Sequence, residues 1–295
     1  MSAGKVERRI LGQTGRELSV LGFGGVIVAN TSPTTAVRYV AEAFERGINY
    51  FDVAPFYGNA QDRLGPALAP YRDQCFLACK SRERTADGIL KELENSLRLL
   101  KTDRFDLYQL HSLQSVEEDV EAAFAPGGAM ETVEKAKRDG KILNVGFSAH
   151  TEEAAHAAMD RYDFDTLLFP FNYFTWQGGF GHSVYERARE KGMGVLALKS
   201  LAHRAWTKKE YKEPSRLWPK CWYKPLQQPD HIALALRFTL GLPVDAAIPP
   251  GHWDLFEQCL QIVESNSFGP VSDEELFPLA TLGEGMRPLF EVAVS

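Results

Sequence analysis

Four polar side chains lie at or just after the ends of three consecutive apolar stretches, and their residue types suit proton transfer. Asp52 falls inside the stretch INYFDVAPFYGNA, and Tyr57 follows it in a predicted turn. Lys80 and His111 end or nearly end the next two apolar stretches, CFLACKS and FDLYQLH. A buried carboxylate needs a partner because burying an unpaired charge is costly, and a neighbouring lysine can be that partner.

Together these residue types can form a general acid whose pKa is tuned by its neighbours. A lysine kept cationic by Asp52 would stabilise the phenolate of Tyr57 and lower the pKa of its hydroxyl from the reference value of about 10. His111 would orient the oxygen that faces the tyrosine. We therefore expect Tyr57 to protonate a carbonyl oxygen while a hydride reaches the carbonyl carbon.

The elements that must position these residues alternate between apolar strands and amphipathic helices. After a predicted β-hairpin around residues 13–15, the first of eight strands ends at Gly24-Gly25. The other seven are predicted at 48–54, 75–81, 105–111, 142–149, 166–172, 194–200 and 245–250. Predicted helices lie at 33–47, 62–68, 85–100, 116–138 with a break at 126–128, 151–160, 184–191, 231–240 and 255–263.

Eight strand-and-helix repeats favour one closed barrel over an open sheet. The strands lack polar alternation, which indicates burial on both faces, as in a parallel sheet. We therefore predict an α/β fold, a (β/α)8 TIM barrel formed by residues 1–295 as a single domain. No GxGxxG motif follows the first strand, which argues against a Rossmann domain.

The long connection after strand seven, residues 202–230, breaks the repeat. It contains Trp206, Trp218 and Trp222 among lysines and prolines. Because it follows a strand end, it should overhang the catalytic face, either as a lid or substrate wall or as a mobile insertion. The role of the tail, residues 265–295, is left open.

Composition and charge narrow the classes of partner. The chain has 33 basic and 39 acidic residues, a formal net charge of −6 and no basic cluster, so nucleic acid and anionic membranes are not expected partners. The first residues lack a signal-peptide pattern, and no apolar run approaches the ~18 residues of a membrane span. The four scattered cysteines predict neither disulfides nor a zinc ribbon, and a cytoplasmic protein is expected.

Several motifs resemble those of the aldo-keto reductase family. They are LGQTGRELSVLGFGG (11–25), INYFDVAPFYG (48–58), the strand ending Cys79-Lys80-Ser81, FDLYQLH (105–111) and NVGFSAH (144–150). The resemblance implies a (β/α)8 barrel that reduces carbonyls with a nicotinamide cofactor. It places the family's catalytic tetrad on Asp52, Tyr57, Lys80 and His111, with Tyr57 as the acid.

The resemblance also implies residues that would hold the cofactor. Many members have an Asn after the serine matched here to Ser148 and a Gln on strand six; Ser148 and Asn172 are the substitutes in this chain. A branch with GFSxH and a lysine after strand seven is closer to this sequence, which has only Cys259 near its carboxyl end and therefore no iron–sulfur cluster. The cofactor-binding residues implied are Gly25, Ser148, Asn172, Lys199, Leu201, Gly251 and Gln258.

The expected cofactor is NADP or NAD, because the usual cation for the 2′-phosphate is missing from the strand-eight loop. That loop reads IPPGHWDLFEQC and has no basic residue, although a 2′-phosphate favours an Arg or Lys. Unless Arg204, Lys208 or Lys209 turns inward, NADH is as suitable as NADPH. Gly251 and the following helix could still bind a phosphate through backbone N–H groups.

Three other functions stay open from the sequence. Histidines near strand ends could mark a metal-dependent hydrolase, although no HxH follows strand one. Lys80 or Lys199 could form a Schiff base in a lyase. The changed residues at the positions that hold the nicotinamide amide in many members, together with the tryptophan-rich connection, would also suit a nicotinamide-sensing binding subunit. The sequence specifies neither the carbonyl substrate nor the oligomeric state, for which a monomer or small homo-oligomer is expected.

Overall fold

A short antiparallel hairpin precedes the main sheet, as predicted. Its strands β1 (Arg8–Ile10) and β2 (Glu17–Ser19) pair in the register Arg9↔Leu18. Leu11 and Leu18 are fully buried and pack with inward-facing residues such as Tyr50 and Phe76 near the starts of the next strands. The hairpin therefore closes the amino-terminal end of the sheet that follows.

The computed structural model describes residues 6–265 and 268–292, and its main sheet has eight parallel strands. In chain order these are β3 (Phe23–Gly24), β4 (Tyr50–Asp52), β5 (Phe76–Ser81), β6 (Phe105–Leu113), β7 (Ile142–Ala149), β8 (Thr166–Phe169), β9 (Gly194–Leu198) and β12 (Ala246–Ile248). Each strand pairs with the one that follows it in this sequence. Hydrogen bonds from Gly22 N to Ala247 O (2.9 Å) and from Ala247 N to Val20 O (2.8 Å) join the two edges, which completes the predicted (β/α)8 barrel.

Helices connect the strands and cover the outside of the barrel. They are α1 (Pro33–Glu45), α2 (Ala60–Leu68), α3 (Ala86–Leu100), α4 (Ala122–Phe124), α5 (Ala129–Arg138), α6 (Glu152–Arg161), α7 (Tyr173–Gln177), α8 (His182–Glu190), α9 (Lys208–Tyr211), α10 (Pro229–Gly241), α11 (Trp253–Glu264) and α12 (Asp273–Gly283). The sequence explains their boundaries: Ser32 caps α1 ahead of Pro33, and the Thr85 hydroxyl accepts a hydrogen bond from Gly88 N at the start of α3.

Strand six is shorter than predicted, and a proline explains the difference. Strand six ends at Phe169 rather than at residue 172, because Pro170 has no N–H to continue the ladder. Asn172 instead caps α7 by accepting a hydrogen bond from Thr175 N at 3.2 Å. The helical stretch predicted at 116–138 with a break at 126–128 is present: a π-helical turn at Val116–Glu121 and α4 precede the break, and α5 follows it.

The long connection after strand seven is present and has structure of its own. Strands β10 (Ala202–Ala205) and β11 (Tyr223–Pro225) form an antiparallel pair with α9 between them. Trp206 Nε1 donates to Cys221 O at 2.9 Å, and Trp218 Nε1 donates to Asp254 Oδ2 at 2.6 Å. The first contact holds the connection together, and the second joins it to α11.

The carboxyl-terminal segment forms α12 and then runs back over the barrel. Ser272 and Glu275 form a capping box at the start of this helix. Beyond α12 the ring of Phe290 lies 5.3 Å from that of His150, between ring centres. Within residues 6–265 and 268–292 no helix is both long enough and apolar enough to cross a bilayer.

Candidate active site

The ion pair between Asp52 and Lys80 lies at the carboxyl ends of β4 and β5. Both residues are almost fully buried, and Lys80 Nζ donates to Asp52 Oδ1. Burial by itself lowers the pKa of Lys80, but the nearby Asp52 carboxylate and Tyr57 outweigh this effect and the pKa is raised. Lys80 is therefore held as a fixed cation, as the sequence predicted.

Gln109 is a third member of this network that the sequence reasoning missed. Its Nε2 donates to Asp52 Oδ2 at 3.3 Å, so both carboxylate oxygens of Asp52 have partners. The residue is fully buried on β6, two positions before His111. That two-residue spacing was the available signal, because alternate residues of a strand face the same side.

Tyr57 lies on the loop after β4 and faces both Lys80 and His111. Lys80 Nζ is 5.6 Å from the centre of the tyrosine ring. The rings of Tyr57 and His111 meet edge to face with their centres 5.9 Å apart. Burial raises the pKa of Tyr57, and the lowering effect of Lys80 only partly offsets it. The predicted net lowering of the Tyr57 pKa is thus wrong, although the contribution of Lys80 has the expected sign.

His111 lies opposite the tyrosine on β6 in a fixed, neutral state. Arg84, which pairs with Asp119 at 2.9 Å, donates from its guanidinium to the His111 backbone oxygen at 2.8 Å. Burial, followed by the charge of Lys80, lowers the pKa of the His111 imidazole. Its Nδ1 is buried and has no hydrogen-bond partner among the described residues. A neutral imidazole can hydrogen-bond a ligand oxygen without adding charge.

A second polar cluster occupies the opposite side of the barrel mouth. Lys199 directly follows β9, and its Nζ lies 2.9 Å from His150 Nε2. His150 Nδ1 lies 3.1 Å from Ser112 Oγ. Ser112 and Lys199 have φ angles of 63° and 62°, in the left-handed region that costs a residue with a side chain about 1–2 kcal/mol. Such strain is typical of functional sites.

The tetrad and this second cluster open into one cavity of about 480 Å³. Its walls come from the strand ends and from the long connection after strand seven. The lining includes Gly24, Asp52, Tyr57, Lys80, Arg82, His111, Ser148, His150, Lys199, Lys220, Cys221, Trp222, Tyr223 and Gly251. The connection therefore provides a wall of the cavity through residues 220–223.

Three of the seven predicted cofactor residues line the cavity: Ser148, Lys199 and Gly251. Ser148 Oγ also accepts a hydrogen bond from Ser112 N at 2.7 Å. The other four lie outside the lining. Gly25 packs against Val53, Asn172 is buried as a helix cap, Leu201 is buried in the core, and Gln258 donates to Asp254 O on α11.

The cations nearest the strand-eight loop also differ from those considered in the sequence. Arg204 is held by Glu210 through two hydrogen bonds of 2.8 Å, and neither Lys208 nor Lys209 lines the cavity. Lys220, which the sequence reasoning overlooked, does line it, and its backbone N donates to His252 Nε2 at 3.1 Å beside Gly251. No local sequence signal could show this contact.

The described residues contain no cluster of side chains suited to bind a metal ion. Across residues 6–265 and 268–292, no three His, Cys, Asp or Glu side chains come together in a way that could hold a metal ion. The hydrolase alternative therefore has no candidate centre in this part of the chain.

A family model described as the aldo/keto reductase family matches residues 20–224. Among curated relatives, the aldo-keto reductase YhdN of Bacillus subtilis is 30% identical over 230 residues, covering 70% of this chain and 66% of the relative. L-galactose dehydrogenase of Arabidopsis thaliana is 28% identical over 220 residues, covering 67% and 66%. The chain thus matches just under two thirds of the length of each of these two relatives.

Solved structures resemble the chain over nearly all of its length. The holo form of an aldo-keto reductase from Bacillus halodurans has a TM-score of 0.71 and 23% identity, with 98% of each chain covered. An aldo-keto reductase from Klebsiella pneumoniae in complex with NADPH has a TM-score of 0.69 and 20% identity, with 98% of this chain and 100% of that chain covered. At these identities the likeness establishes the fold.

Proposed function

The chain belongs to the aldo/keto reductase family, and on that premise we propose that it is an oxidoreductase interconverting a carbonyl and an alcohol. The observation that supports this most is the convergence of Asp52, Tyr57, Lys80 and His111 on one cavity. The substrate would be a small carbonyl compound, an aldehyde, ketone or sugar, and the cofactor a nicotinamide dinucleotide. Tyr57 would act as the general acid in reduction and as the base in oxidation.

Each residue of the tetrad has a distinct task in this proposal. Tyr57 donates its hydroxyl proton to the carbonyl oxygen, and the Lys80 ammonium stabilises the phenolate that remains. Asp52 keeps Lys80 charged, and the neutral His111 hydrogen-bonds the same carbonyl oxygen. When bound, the nicotinamide supplies the hydride to the carbonyl carbon.

The protonation state of Tyr57 suits reduction. A tyrosine hydroxyl with the reference pKa of about 10 is already protonated at neutral pH, and burial raises the pKa of Tyr57 further, so its proton is in place to be donated. The cation of Lys80 opposes this effect, so its stabilisation is felt most when the phenolate forms. The pair therefore favours the charge distribution of the transition state over that of the ground state.

The cavity also fits a phosphate-bearing cofactor. Lys220 lines it, its Nζ donates to the backbone oxygens of Val26 and Ile27 at 3.2 and 2.9 Å, and no carboxylate of the described residues forms an ion pair with it. Lys220 lies beside Gly251, where a Cβ would come within 2.4 Å of Val26, so the backbone there is closely packed. We propose that Lys220 replaces the cation absent from the strand-eight loop, which would allow NADPH as well as NADH.

The test is Tyr57→Phe, which removes the proton donor and keeps the ring. Turnover of a reactive aldehyde should fall by ~10²–10⁴-fold, the range credited to general acid catalysis, while NADPH binding followed by fluorescence stays unchanged. Tyr223→Phe is the matched control because Tyr223 lines the same cavity without lying against Lys80, and it should keep most of the turnover. Equal losses in both variants would contradict the assignment.

The nicotinamide-sensing subunit is the alternative that the same experiment addresses. If the wild-type protein binds NADPH tightly but reduces no aldehyde or ketone above the rate of Tyr57→Phe, the binding role would be preferred. Borohydride trapping of a carbonyl adduct on Lys80 or Lys199 would instead favour the lyase.

A further inference from the structure

Lys199 is a buried lysine in the cavity that the proposed proton transfer does not use. Only 7% of its surface is exposed, and it lines the cavity. Among residues 6–265 and 268–292, no Asp or Glu forms an ion pair with it. Burying an ammonium group without a counter-ion is costly. An anionic group of a ligand could supply the counter-ion that Lys199 lacks.

A chain of hydrogen bonds fixes where the amine points. As a donor, Lys199 Nζ gives one proton to His150 Nε2 at 2.9 Å, which leaves the imidazole proton on Nδ1. Nδ1 then donates to Ser112 Oγ at 3.1 Å, and Gln114 Nε2 donates to the same oxygen at 3.3 Å. Only one of the amine's protons is used in this way, and the others remain for a ligand.

Aromatic rings enclose the amine and limit what can reach it. The centres of the Phe290 and Trp222 rings lie 5.1 Å and 5.6 Å from Lys199 Nζ. Phe290 comes from the tail and Trp222 from the long connection after strand seven, so the enclosure depends on both segments. Both rings lie within the ~6 Å at which an aromatic face attracts a cation, so they favour the ammonium form of Lys199.

The titratable groups that face Lys199 bring it no free carboxylate among the described residues. Lys80 on β5 is already paired with Asp52, and His111 on β6 and His150 on β7 are held neutral by burial and by neighbouring cations. Burial, with a further contribution from Lys80, lowers the pKa of Lys199. An anionic ligand would reverse the effect of burial by giving the ammonium form a partner.

We propose that Lys199 binds an acidic group of the substrate, a carboxylate, so that the enzyme acts on carbonyl compounds that also carry a carboxylate. This inference rests on the proposed carbonyl chemistry at Tyr57. The carbonyl would face Tyr57 and His111 while the carboxylate meets Lys199 on the opposite side of the cavity. Lys199 would then determine specificity, and His150 and Ser112 would be positioning residues.

The first experiment compares matched charged and uncharged substrates. The three formylbenzoates and the corresponding formylbenzamides share size and shape and differ in charge. We expect kcat/KM for at least one formylbenzoate to exceed that for its amide by tenfold or more. In Lys199→Met and Lys199→Gln this ratio should fall to near one, mainly through KM.

Arg82→Gln is the matched control, because Arg82 is another cavity cation without a carboxylate partner among the described residues. It lies on the Tyr57 side, with its guanidinium 3.7 Å from the centre of the Phe56 ring. The acid-to-amide ratio, which is kcat/KM for the formylbenzoate divided by kcat/KM for its amide, should be unchanged in this variant. A ratio unchanged by both Lys199 variants, or equally reduced in Arg82→Gln, would overturn the proposal.

A cofactor phosphate is the other source of an anionic oxygen, and NADPH titration separates the two. If Lys199→Met weakens NADPH binding tenfold and leaves the acid-to-amide ratio unchanged, Lys199 serves the cofactor and the substrate proposal fails. A variant that binds NADPH normally and has lost the ratio supports it. Normal NADPH affinity also shows that the variant is folded.

Calorimetry with benzoate tests the same inference without turnover. Because the ammonium form is required, benzoate binding should weaken as the pH rises and Lys199 loses its proton. Titrations over a range of pH should show this dependence in the wild type and no benzoate binding in Lys199→Met. If the protein reduces no carbonyl yet binds benzoate in this way, only the proposed function fails; absence of benzoate binding to the wild type would refute the carboxylate site.

Discussion

The two sides of the cavity each contain a buried lysine, and the two lysines are in opposite electrostatic states. Lys80 forms an ion pair with Asp52, and its pKa is raised. Lys199 contacts His150 and two aromatic rings, and its pKa is lowered. Burial is common to both, so the counter-ion makes the difference. The first lysine is a fixed charge, whereas the second can respond to a ligand.

Strand register explains why only one lysine has a carboxylate partner. Asp52 pairs with Ala78 across β4 and β5, which places it within reach of Lys80. The strands beside β9 continue into prolines where Lys199 leaves the sheet: Leu198 pairs with Ile248, which precedes Pro249, and Ala197 pairs with Phe169, which precedes Pro170. Proline side chains cannot neutralise an ammonium group.

The largest expected effect comes from removing Asp52, the counter-ion of Lys80. Asp52→Asn should lower the free energy of unfolding by about 3–5 kcal/mol, because it leaves Lys80 buried without a partner. Lys199→Met, by contrast, removes a buried base that has no counter-ion and should change stability by less than about 1 kcal/mol. Urea unfolding followed by circular dichroism measures both values.

The double variant Asp52→Asn/Lys80→Met is the control for this contrast. Replacing both members removes the stranded charge, so most of the stability lost in Asp52→Asn should return. If Asp52→Asn and Lys199→Met prove equally destabilising, the counter-ion does not distinguish Lys80 from Lys199.

The sequence predicted the parts of the site that depend on local pattern. Asp52, Lys80 and His111 could be identified because a polar residue at or near the end of an apolar stretch lies at the barrel mouth once the strands are correctly assigned. Asn172 and Leu201 do not line the cavity, because strand six ends before Pro170 and the left-handed turn at Lys199 directs Leu201 into the core.

Contacts between distant parts of the chain were beyond sequence reasoning. Lys220 meets the strand-eight loop 32 residues away, and Phe290 reaches Lys199 from the tail. No spacing rule predicts such contacts, because they depend on how the long connection and the tail fold over the barrel. The same limit applies to the net pKa of Tyr57, which depends on burial that the sequence does not report.

An effect of intermediate size should appear in the pH dependence of the unfolding free energy, through His150 beside Lys199. The pKa of His150 is lowered, mainly by burial, so the unfolded chain binds more protons than the folded protein near and below the reference pKa of about 6.5. This share of the stability is present at high pH and is lost as the pH falls. Between pH 7.5 and 5.5, His150 should account for about 1.4 kcal/mol of the decrease.

His150→Gln isolates this contribution, because glutamine does not titrate. Above pH 7.5 the difference in unfolding free energy between variant and wild type should be constant, since the imidazole is neutral in both folded and unfolded states. Below that pH the wild type should lose stability faster. Parallel curves down to pH 5.5 would mean that His150 becomes protonated in the folded protein and that the cluster is open to water.

The smallest effect concerns the hydrogen bond from Gln109 to Asp52, the counter-ion of Lys80. Gln109→Leu removes the donor to Asp52 Oδ2 and also an Oε1 atom that has no partner among the described residues, so the net loss should be about 1 kcal/mol. Gln61→Leu is the matched control, because that buried glutamine donates to Ser96 Oγ at 2.8 Å and to Cys79 Sγ at 3.5 Å and makes no hydrogen bond to Asp52 or Lys80. Both variants should lose similar stability in urea, but only Gln109→Leu should also reduce turnover, since Asp52 then holds Lys80 less firmly beside Tyr57. Equal turnover in the two variants would show that the Asp52–Lys80 pair needs no third residue to stay in place.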